Sequence, residues 1–384
     1  MINHIAIVAG SPVSYRSMGG GDRIFCELGK YWQEQGIKVT LIGPSEAYSV
    51  AKIGGLETTF VETSNLPTES LGTVKTYLLR IWKSLRQRQK FGEYDLIYSA
   101  SESLPDVILS LMVKRQNPKV PWVIGFYLKA RNPFLGEVSL RFSSLNQFFQ
   151  QQVSLVLMKL FGASAFWVAG RPDELYLTRL GFRNVLKIGG GVDLDFVSKV
   201  PDQEKIYDGC FVGRLSSQKG IDDLLEIWEM LVSQKPGAKL SVNGWGHPGE
   251  VERFLKKVEE KKLKSNLDFF NFLDAFERFR VIKQSKVSLF PSYYESFGLV
   301  ILESLAAGVP VVAYDLDVLR DNFIAGVVYV PRADKEKMAK EVLKILSDES
   351  LCSALLQEGR RFSQNFGWEK VGQITFGYLS TLTS

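Results

Sequence analysis

Histidine is nearly absent from this chain: 384 residues contain two, His4 and His247. Cysteine is scarce as well, and Cys26, Cys210 and Cys352 stand far apart with no CxxC pair. That excludes a zinc knuckle and a disulfide framework, and it predicts a reduced, cytoplasmic setting. The first residues, MINHIAIVAGSP, have no basic stretch or cleavable apolar core, so they read as a buried strand rather than a signal peptide. One apolar run invites reading as a membrane span, VSLVLMKLFGASAFWVAG (153–170), but Lys159 and Gly162 interrupt it. A helix ending near Phe161 and a strand at 165–168 fit better, because a charge in mid-span is costly. Neither sign of charge dominates: 47 basic and 42 acidic residues leave a net +5. This mild surplus suits a phosphate-bearing ligand or an anionic surface. No aromatic-basic platform for nucleic acid accompanies it.

What is present is a steady alternation of short apolar runs and helix-period segments, the pattern of an α/β protein with parallel sheets. IAIVAG (5–10), KVTLIG (38–43), DLIYSA (95–100), WVIGFY (122–127) and AFWVA (165–169) read as strands. Between the first two, Ile24, Phe25, Leu28, Tyr31 and Trp32 mark one face of a helix that closes at Gly36. A second series opens after IGGGVDLDF (188–196), with strands at YDGCFVG (207–213), AKLSVNG (238–244), LDFFNF (267–272), VSLFPS (287–292) and VPVVAY (309–314). At 45% hydrophobic and 23% charged, the chain is long enough for two cores. Two doubly wound domains are therefore expected, facing across a cleft, with the boundary near 188–200.

Four segments could carry chemistry. Gly19, Gly20 and Gly21 lie between a strand and a helix, where backbone N–H groups can meet an anion, although a plain flexible loop has the same composition. In FVGRLSSQKG (211–220), Arg214 and Lys219 could straddle a diphosphate, or could be an ordinary solvated basic loop. In SYYESFGLVILESLAAG (292–308), Glu295 falls in a loop and Glu303 in the second turn of a helix starting at Gly298. The amides of Phe297, Gly298 and Leu299 then open the helix unpaired. That arrangement suits a ligand with hydroxyls at both ends and an anionic middle, since each carboxylate accepts hydroxyl hydrogen bonds. It also fits an amphipathic helix with one exposed and one capping glutamate. In NGWGHPGE (243–250), backbone could cradle a base or sugar edge, while His247 reads as a surface turn residue and His4 as a structural one.

Taken together, FVGRLSSQKG, NGWGHPGE and YYESFGLVILESLAAGVPVVAYD resemble the C-terminal half of retaining family-four glycosyltransferases of the GT-B fold, whose hallmark E-x7-E falls on Glu295 and Glu303. GGGDRIFCELGKYWQEQGIKVTLIG, IGGGVDLDF and the tail RRFSQNFGWEKVGQITFGYL are similar to the family's glycine loop, interdomain segment and returning terminal helix. The resemblance implies an acceptor-side domain over 1–190, with helix 365–384 crossing back onto it, and a donor-binding domain over 191–364. It implies a nucleotide-diphosphate sugar, UDP- or GDP-linked, as co-substrate. Glu303 would hold the ribose and Glu295 the sugar. Arg214 and Lys219 would neutralise the leaving diphosphate, which calls for no metal. Gly20, Gly21, Gly213, Gly244, Ser296, Phe297, Gly298 and Leu299 would complete the donor site. The acids of IDD (221–223) read as helix-start residues, not metal ligands. A nicotinamide oxidoreductase would need GxGxxG and an acid about twenty positions later, and the first βα turn has neither.

One departure from the family matters. Many members place a histidine in the loop after the strand equivalent to WVIGFY, where this chain reads FYLKARNPF, with Phe126 or Tyr127 at the position. Tyr127, Lys129 and Arg131 are candidates for the missing contact with sugar or acceptor. A catalytically silent nucleotide-sugar-binding protein is the alternative to an active enzyme making a glycan, polysaccharide or glycolipid. Two segments, TVKTYLLRIWKSLRQRQKFGEY (73–94) and LRFSSLNQFFQQQVSLVLMKLF (140–161), could lie on an anionic cytoplasmic leaflet beside a lipid-linked acceptor. They could equally pack on the sheet and on each other.

Overall fold

The computed structural model describes residues 2–11, 18–65, 73–86, 91–135, 137–138, 140, 142–246 and 248–382, the side chains of 73, 74, 84–86 and 143 excepted. It divides into two compact units, Met1–Gly190 with Trp368–Ser384, and Gly191–Gly367. Each is a doubly wound parallel α/β sandwich.

The first unit runs β1 (His4–Val8), α1 (Gly20–Glu34), β2 (Lys38–Pro44), α2 (Ser45–Ile53), β3 (Thr59–Ser64) and α3 (Thr73–Arg86). It continues with β4 (Leu96–Ser99), α4 (Leu104–Gln116), β5 (Trp122–Phe126), α5 (Phe142–Leu160), β6 (Ala165–Val168), α6 (Arg171–Arg179) and β7 (Val185–Lys187). Among the described residues the sheet order is β3-β2-β1-β4-β5-β6-β7, all parallel. Because helices cover both faces, the central strands are apolar without alternation. Ile5, Ala6, Ile7 and Val8 are all fully buried. Helix α1 buries Ile24, Phe25, Leu28 and Trp32 as its period predicts, and Gly36 follows at φ 79°. Trp32, Tyr98 and Trp167 meet in the core beneath it.

The second unit runs α7 (Leu194–Lys199), β8 (Tyr207–Arg214), α8 (Ile221–Gln234), β9 (Leu240–Trp245), α9 (Pro248–Glu260), β10 (Leu267–Phe270), α10 (Ala275–Lys283) and β11 (Ser285–Phe290). Next come α11 (Leu299–Ala306), β12 (Val311–Tyr314), α12 (Asp317–Asn322), β13 (Val327–Val330), α13 (Lys335–Ser347) and α14 (Glu349–Ser363). Its parallel sheet has the order β10-β9-β8-β11-β12-β13. Trp228, Leu224, Leu231, Leu240, Val287 and Val312 lie at its core. The last helix, α15 (Trp368–Leu382), returns to the first unit and packs on α1. A Cβ on Gly372 would stand 2.3 Å from the Tyr31 ring, so only glycine permits this approach.

The segment 153–170 is helix α5 followed by strand β6, as the interrupting Lys159 and Gly162 suggested. Among the described residues no helix is long and apolar enough to cross a membrane. Cys26, Cys210 and Cys352 are free thiols. His4 is held structurally, with Nε2 2.9 Å from Thr40 Oγ1 and its ring edge-on to Tyr94. His247 lies outside the described residues.

Candidate functional site

In the second unit the side chains singled out in the sequence come from loops at the C-terminal ends of β8, β9 and β11. Strand β8 ends at Gly213-Arg214, paired in register with Gly244-Trp245 of β9. Glycine at both positions keeps this rim low: a Cβ on Gly244 would lie 2.5 Å from Leu215 Cδ2. Arg214 is exposed, and among the described residues it forms no ion pair.

A short 3-10 turn, Ser217–Lys219, follows, and Gly220 then turns left-handed (φ 67°, ψ 33°) to start α8. A Cβ there would stand 2.0 Å from the Pro291 carbonyl oxygen. The turn is thus pressed against the end of β11. Two hydrogen bonds lace the loops together: Tyr293 N–H donates to the Gln218 carbonyl at 2.8 Å, and Gln218 Nε2 donates to the Tyr294 carbonyl at 3.0 Å. The result is a close ion pair, with Lys219 Nζ 2.5 Å from Glu295 Oε1. Both side chains are largely buried, at 19% and 8% exposure. The ammonium also sits over the Phe290 ring, 5.8 Å from its centre.

The rest of the loop is anchored beneath. Phe297 is buried against Phe323 and Phe366, and its carbonyl accepts from Asn322 Nδ2 at 3.3 Å. Gly298 caps α11 at φ 99°, ψ 45°, and a Cβ there would meet Leu319 Cδ2 at 2.8 Å. Gly298 O accepts the N–H groups of Ile301 and Leu302, so the amides before them open the helix without an intrahelical acceptor. Ser296 and Leu299 flank this opening, half-buried. Glu303 stands one turn further on.

The sequence reading missed the partner of Glu303. Arg278, in the first turn of α10, places Nη2 3.1 Å from Glu303 Oε1. The signal was topological: a helix entered from the C-terminal end of one parallel strand begins at the rim where the βα loops converge. The acids Asp222 and Asp223 lie in the first turn of α8, as the sequence indicated, and their side chains make further contacts. Gly220 caps the helix, while Asp223 accepts from the hydroxyls of Tyr293 and Tyr314, both at 2.6 Å, and fixes the glutamate loop from below. Asp222 instead pairs with Lys257 at 2.8 Å.

In the first unit, Gly20 and Gly21 begin α1, and the Gly19 N–H donates to Asp22 at 2.8 Å. Burial pushes the Asp22 carboxyl up to about 6 against the pull of that N–H. One N–H at this helix start is therefore already engaged. Gly21 faces Tyr127, where a Cβ would stand 3.4 Å from the ring.

Tyr127 does not present its hydroxyl as the sequence suggested. It is buried and shares a 2.6 Å hydrogen bond with the buried Tyr98 hydroxyl, and Phe126 is fully buried. What the loop after β5 leaves half-exposed are Lys129, 3.4 Å from Glu137, and Arg131, which donates to the Glu137 carbonyl. Three side chains hold the backbone of this loop. Glu102 accepts from Tyr127 N–H (3.3 Å), Asp173 from Lys129 N–H (3.0 Å), and Gln151 from Ala130 N–H (2.7 Å). Their positions are far apart in sequence, and nothing in the local pattern links them.

Among the described residues, no cluster of three or more His, Cys, Asp or Glu is placed to hold a metal ion.

Two parallel doubly wound units carrying these loops define a GT-B fold, the class to which the similar solved structures belong. Residues 194–362 match the family described as Glycosyl transferases group 1, a stretch lying wholly in the second unit. A curated relative, glycogen synthase of Mycobacterium tuberculosis, is 29% identical over 169 residues, 43% of this chain and 40% of that protein. The match thus spans less than half of that relative. Sucrose-phosphate synthase from Thermosynechococcus elongatus is similar over 99% of both chains, with a TM-score of 0.77 and 21% identity. Anabaena Alr3699/HepE, solved in complex with UDP-glucose, has a TM-score of 0.75 and 16% identity over 98% of this chain and 99% of that one. At these identities the structural likeness bears on fold.

Proposed function

We propose that this protein is a retaining glycosyltransferase. It moves a sugar from a UDP- or GDP-sugar to a glycan, polysaccharide or lipid-linked acceptor, without a divalent metal. The observation that carries the reading is the Lys219–Glu295 contact at the rim of a unit that matches the group 1 family. A carboxylate paired on one oxygen keeps lone pairs for sugar hydroxyls, and an ammonium beside it can follow charge as it develops on a leaving diphosphate.

In this mechanism the acceptor oxygen bonds to the anomeric carbon on the face the diphosphate leaves, as that bond breaks, and the acceptor's hydroxyl proton passes to the departing phosphate oxygen. Glu303, oriented by Arg278, accepts from the ribose hydroxyls. Glu295 accepts from the sugar. Arg214 and Lys219, with the first amides of α11, stabilise the departing diphosphate, the work a metal ion does at other phosphoryl sites. Gly213 and Gly244 keep Cβ atoms out of the nucleotide's way. We place the reaction in the cytoplasm, with the N-terminal unit in peripheral contact with the anionic inner leaflet where the acceptor is lipid-linked.

The inward-turned Tyr127 hydroxyl, in a loop without histidine, favours a second reading as a silent nucleotide-sugar-binding protein. Release of free nucleotide from a panel of UDP-, GDP- and ADP-sugars separates the two. The transferase reading expects release from one donor, and its loss in Lys219→Ala. Binding of a donor with no release, with or without candidate acceptors, would overturn it.

A further inference from the structure

Helix α5 is reversed relative to an ordinary surface helix. Its buried pole holds Gln151, Ser154, Leu155 and Met158, two of them polar. The opposite pole consists of Phe142, Phe149, Val153, Val156 and Leu160, between 47% and 75% exposed. At about 100° per residue these five fall within ~40° of one line, a ridge about 27 Å long. The turn Pro133–Leu135 extends it with Phe134 (62% exposed) and Leu135 (73%). Phe134 stands edge-on to Phe148 and Phe149, at 6.1 and 6.0 Å, which joins the turn to the ridge. Burial of such a surface is the usual reason for its existence.

Helix α3 shares the feature. Its Arg80 is buried in an ion pair with Glu46 at 2.8 Å, and Arg80 Nη1 also donates to the Gly10 carbonyl. Leu78 and Trp82 are instead exposed, at 61% and 53%. Both α3 and α5 pack on α4. Neither contains an aspartate or glutamate; besides the ion-paired Arg80, α3 carries Lys75, Lys83 and Arg86, and α5 carries Lys159. Residues 1–190 hold 22 basic and 14 acidic residues, against 24 and 27 in 191–367.

We propose that the α5 ridge, with Leu78 and Trp82 of α3, docks the protein on an anionic lipid surface. This names the surface for the peripheral contact in the proposed function and rests on that part of it. Two considerations choose the occupant. The sign of the charge around the ridge complements anionic headgroups, which attract basic segments close to the membrane. A second copy of the chain docked ridge to ridge would set two basic units against each other. Apolar side chains along the ridge would enter the acyl boundary while the Ser, Asn and Gln residues beside them stay in the headgroup layer.

The test is co-sedimentation of the full chain with phosphatidylcholine vesicles, and with vesicles also containing phosphatidylglycerol. It is run on wild type and on Phe142→Ser/Phe149→Ser/Val156→Ser, all three side chains exposed. The proposal expects binding to the anionic vesicles only, lowered about tenfold or more in the triple variant. Nucleotide-induced stabilisation of the variant is measured in parallel and should equal that of wild type, because those residues lie outside the unit matched to the transferases. Unchanged binding by the variant, equal binding to neutral vesicles, or no binding at all would overturn it. So would a wild-type dimer in solution that the triple substitution dissociates. A chain that binds nucleotide but not vesicles would refute the docking surface and leave the transferase reading intact.

Discussion

Lys219 Nζ and Glu295 Oε1 lie 2.5 Å apart although 76 residues separate them in the chain. Gly220 makes the approach possible, since its backbone abuts Pro291 where any Cβ would collide. The pair places a cation and an acceptor within one hydrogen bond of each other at the mouth of α11. Lys219→Met keeps the stem and removes the charge. It should lower turnover by about 10²-fold or more, with a smaller change in nucleotide affinity, because charge stabilisation counts most in the transition state. Steady-state kcat and KM measured separately check this.

Arg278 and Glu303 form the second ion pair at the rim, 3.1 Å apart. If Arg278 orients Glu303 for a ribose, Arg278→Ala should weaken nucleotide binding about 3- to 10-fold, and Glu303→Ala by more, up to about 100-fold. Calorimetric titration of both variants ranks them. The opposite order would mean that Arg278, rather than the carboxylate, makes the principal contact.

Backbone shape at two glycines should be limiting for stability. Gly298 combines φ 99° with a Cβ position 2.8 Å from Leu319, and Gly220 combines φ 67° with one 2.0 Å from a carbonyl oxygen. Alanine at either position should cost about 1–3 kcal/mol or more. Gly237, with open space around it, should tolerate alanine within about 0.5 kcal/mol. Denaturant unfolding compares the three.

Much of this was legible in the sequence, for reasons that can be stated residue by residue. Strands such as Ile5–Val8 are continuous apolar runs because both faces of the sheet are covered, and α1 and α8 show clear helical faces. Glu295 and Glu303 were found because two carboxylates in an apolar segment need partners. The partners themselves were only half visible. Lys219 lies in the adjacent βα loop, but Arg278 comes from a helix whose position depends on strand order. Strands β3, β7 and β13 were missed, being short or only partly buried at sheet edges. Whether the apolar residues of α3 and α5 turn outward or inward was left open, because an amphipathic period does not say which pole meets the rest of the fold. Tyr127 was misjudged since its partner Tyr98 lies on a neighbouring strand.

Burial pushes the carboxyls of Glu102 and Asp173 up to about 7. Their unfolded values lie near 4. Between these limits the folded state binds more protons than the unfolded one, so stability is greatest below about pH 4 for these groups and falls as pH rises through about 7. Melting of the N-terminal unit should therefore drop by several degrees, roughly, from pH 5 to pH 8. Asp173→Asn keeps an oxygen for the Lys129 N–H and should flatten that slope. Differential scanning calorimetry at a series of pH values tests the sign.

Chelation should have no effect. If Arg214 and Lys219 supply the positive charge as proposed, turnover in excess EDTA should match that in magnesium. A loss of activity restored by a divalent ion would refute metal independence.

The central claim is that a nucleotide sugar binds through Glu303 beside the Lys219–Glu295 pair. It is tested most directly by thermal unfolding of wild type and Glu303→Ala with UDP, GDP and ADP. One nucleotide should raise the wild-type melting temperature with concentration, as mass action requires, and should leave Glu303→Ala unmoved. No rise with any of the three, or an equal rise in Glu303→Ala, would contradict the account.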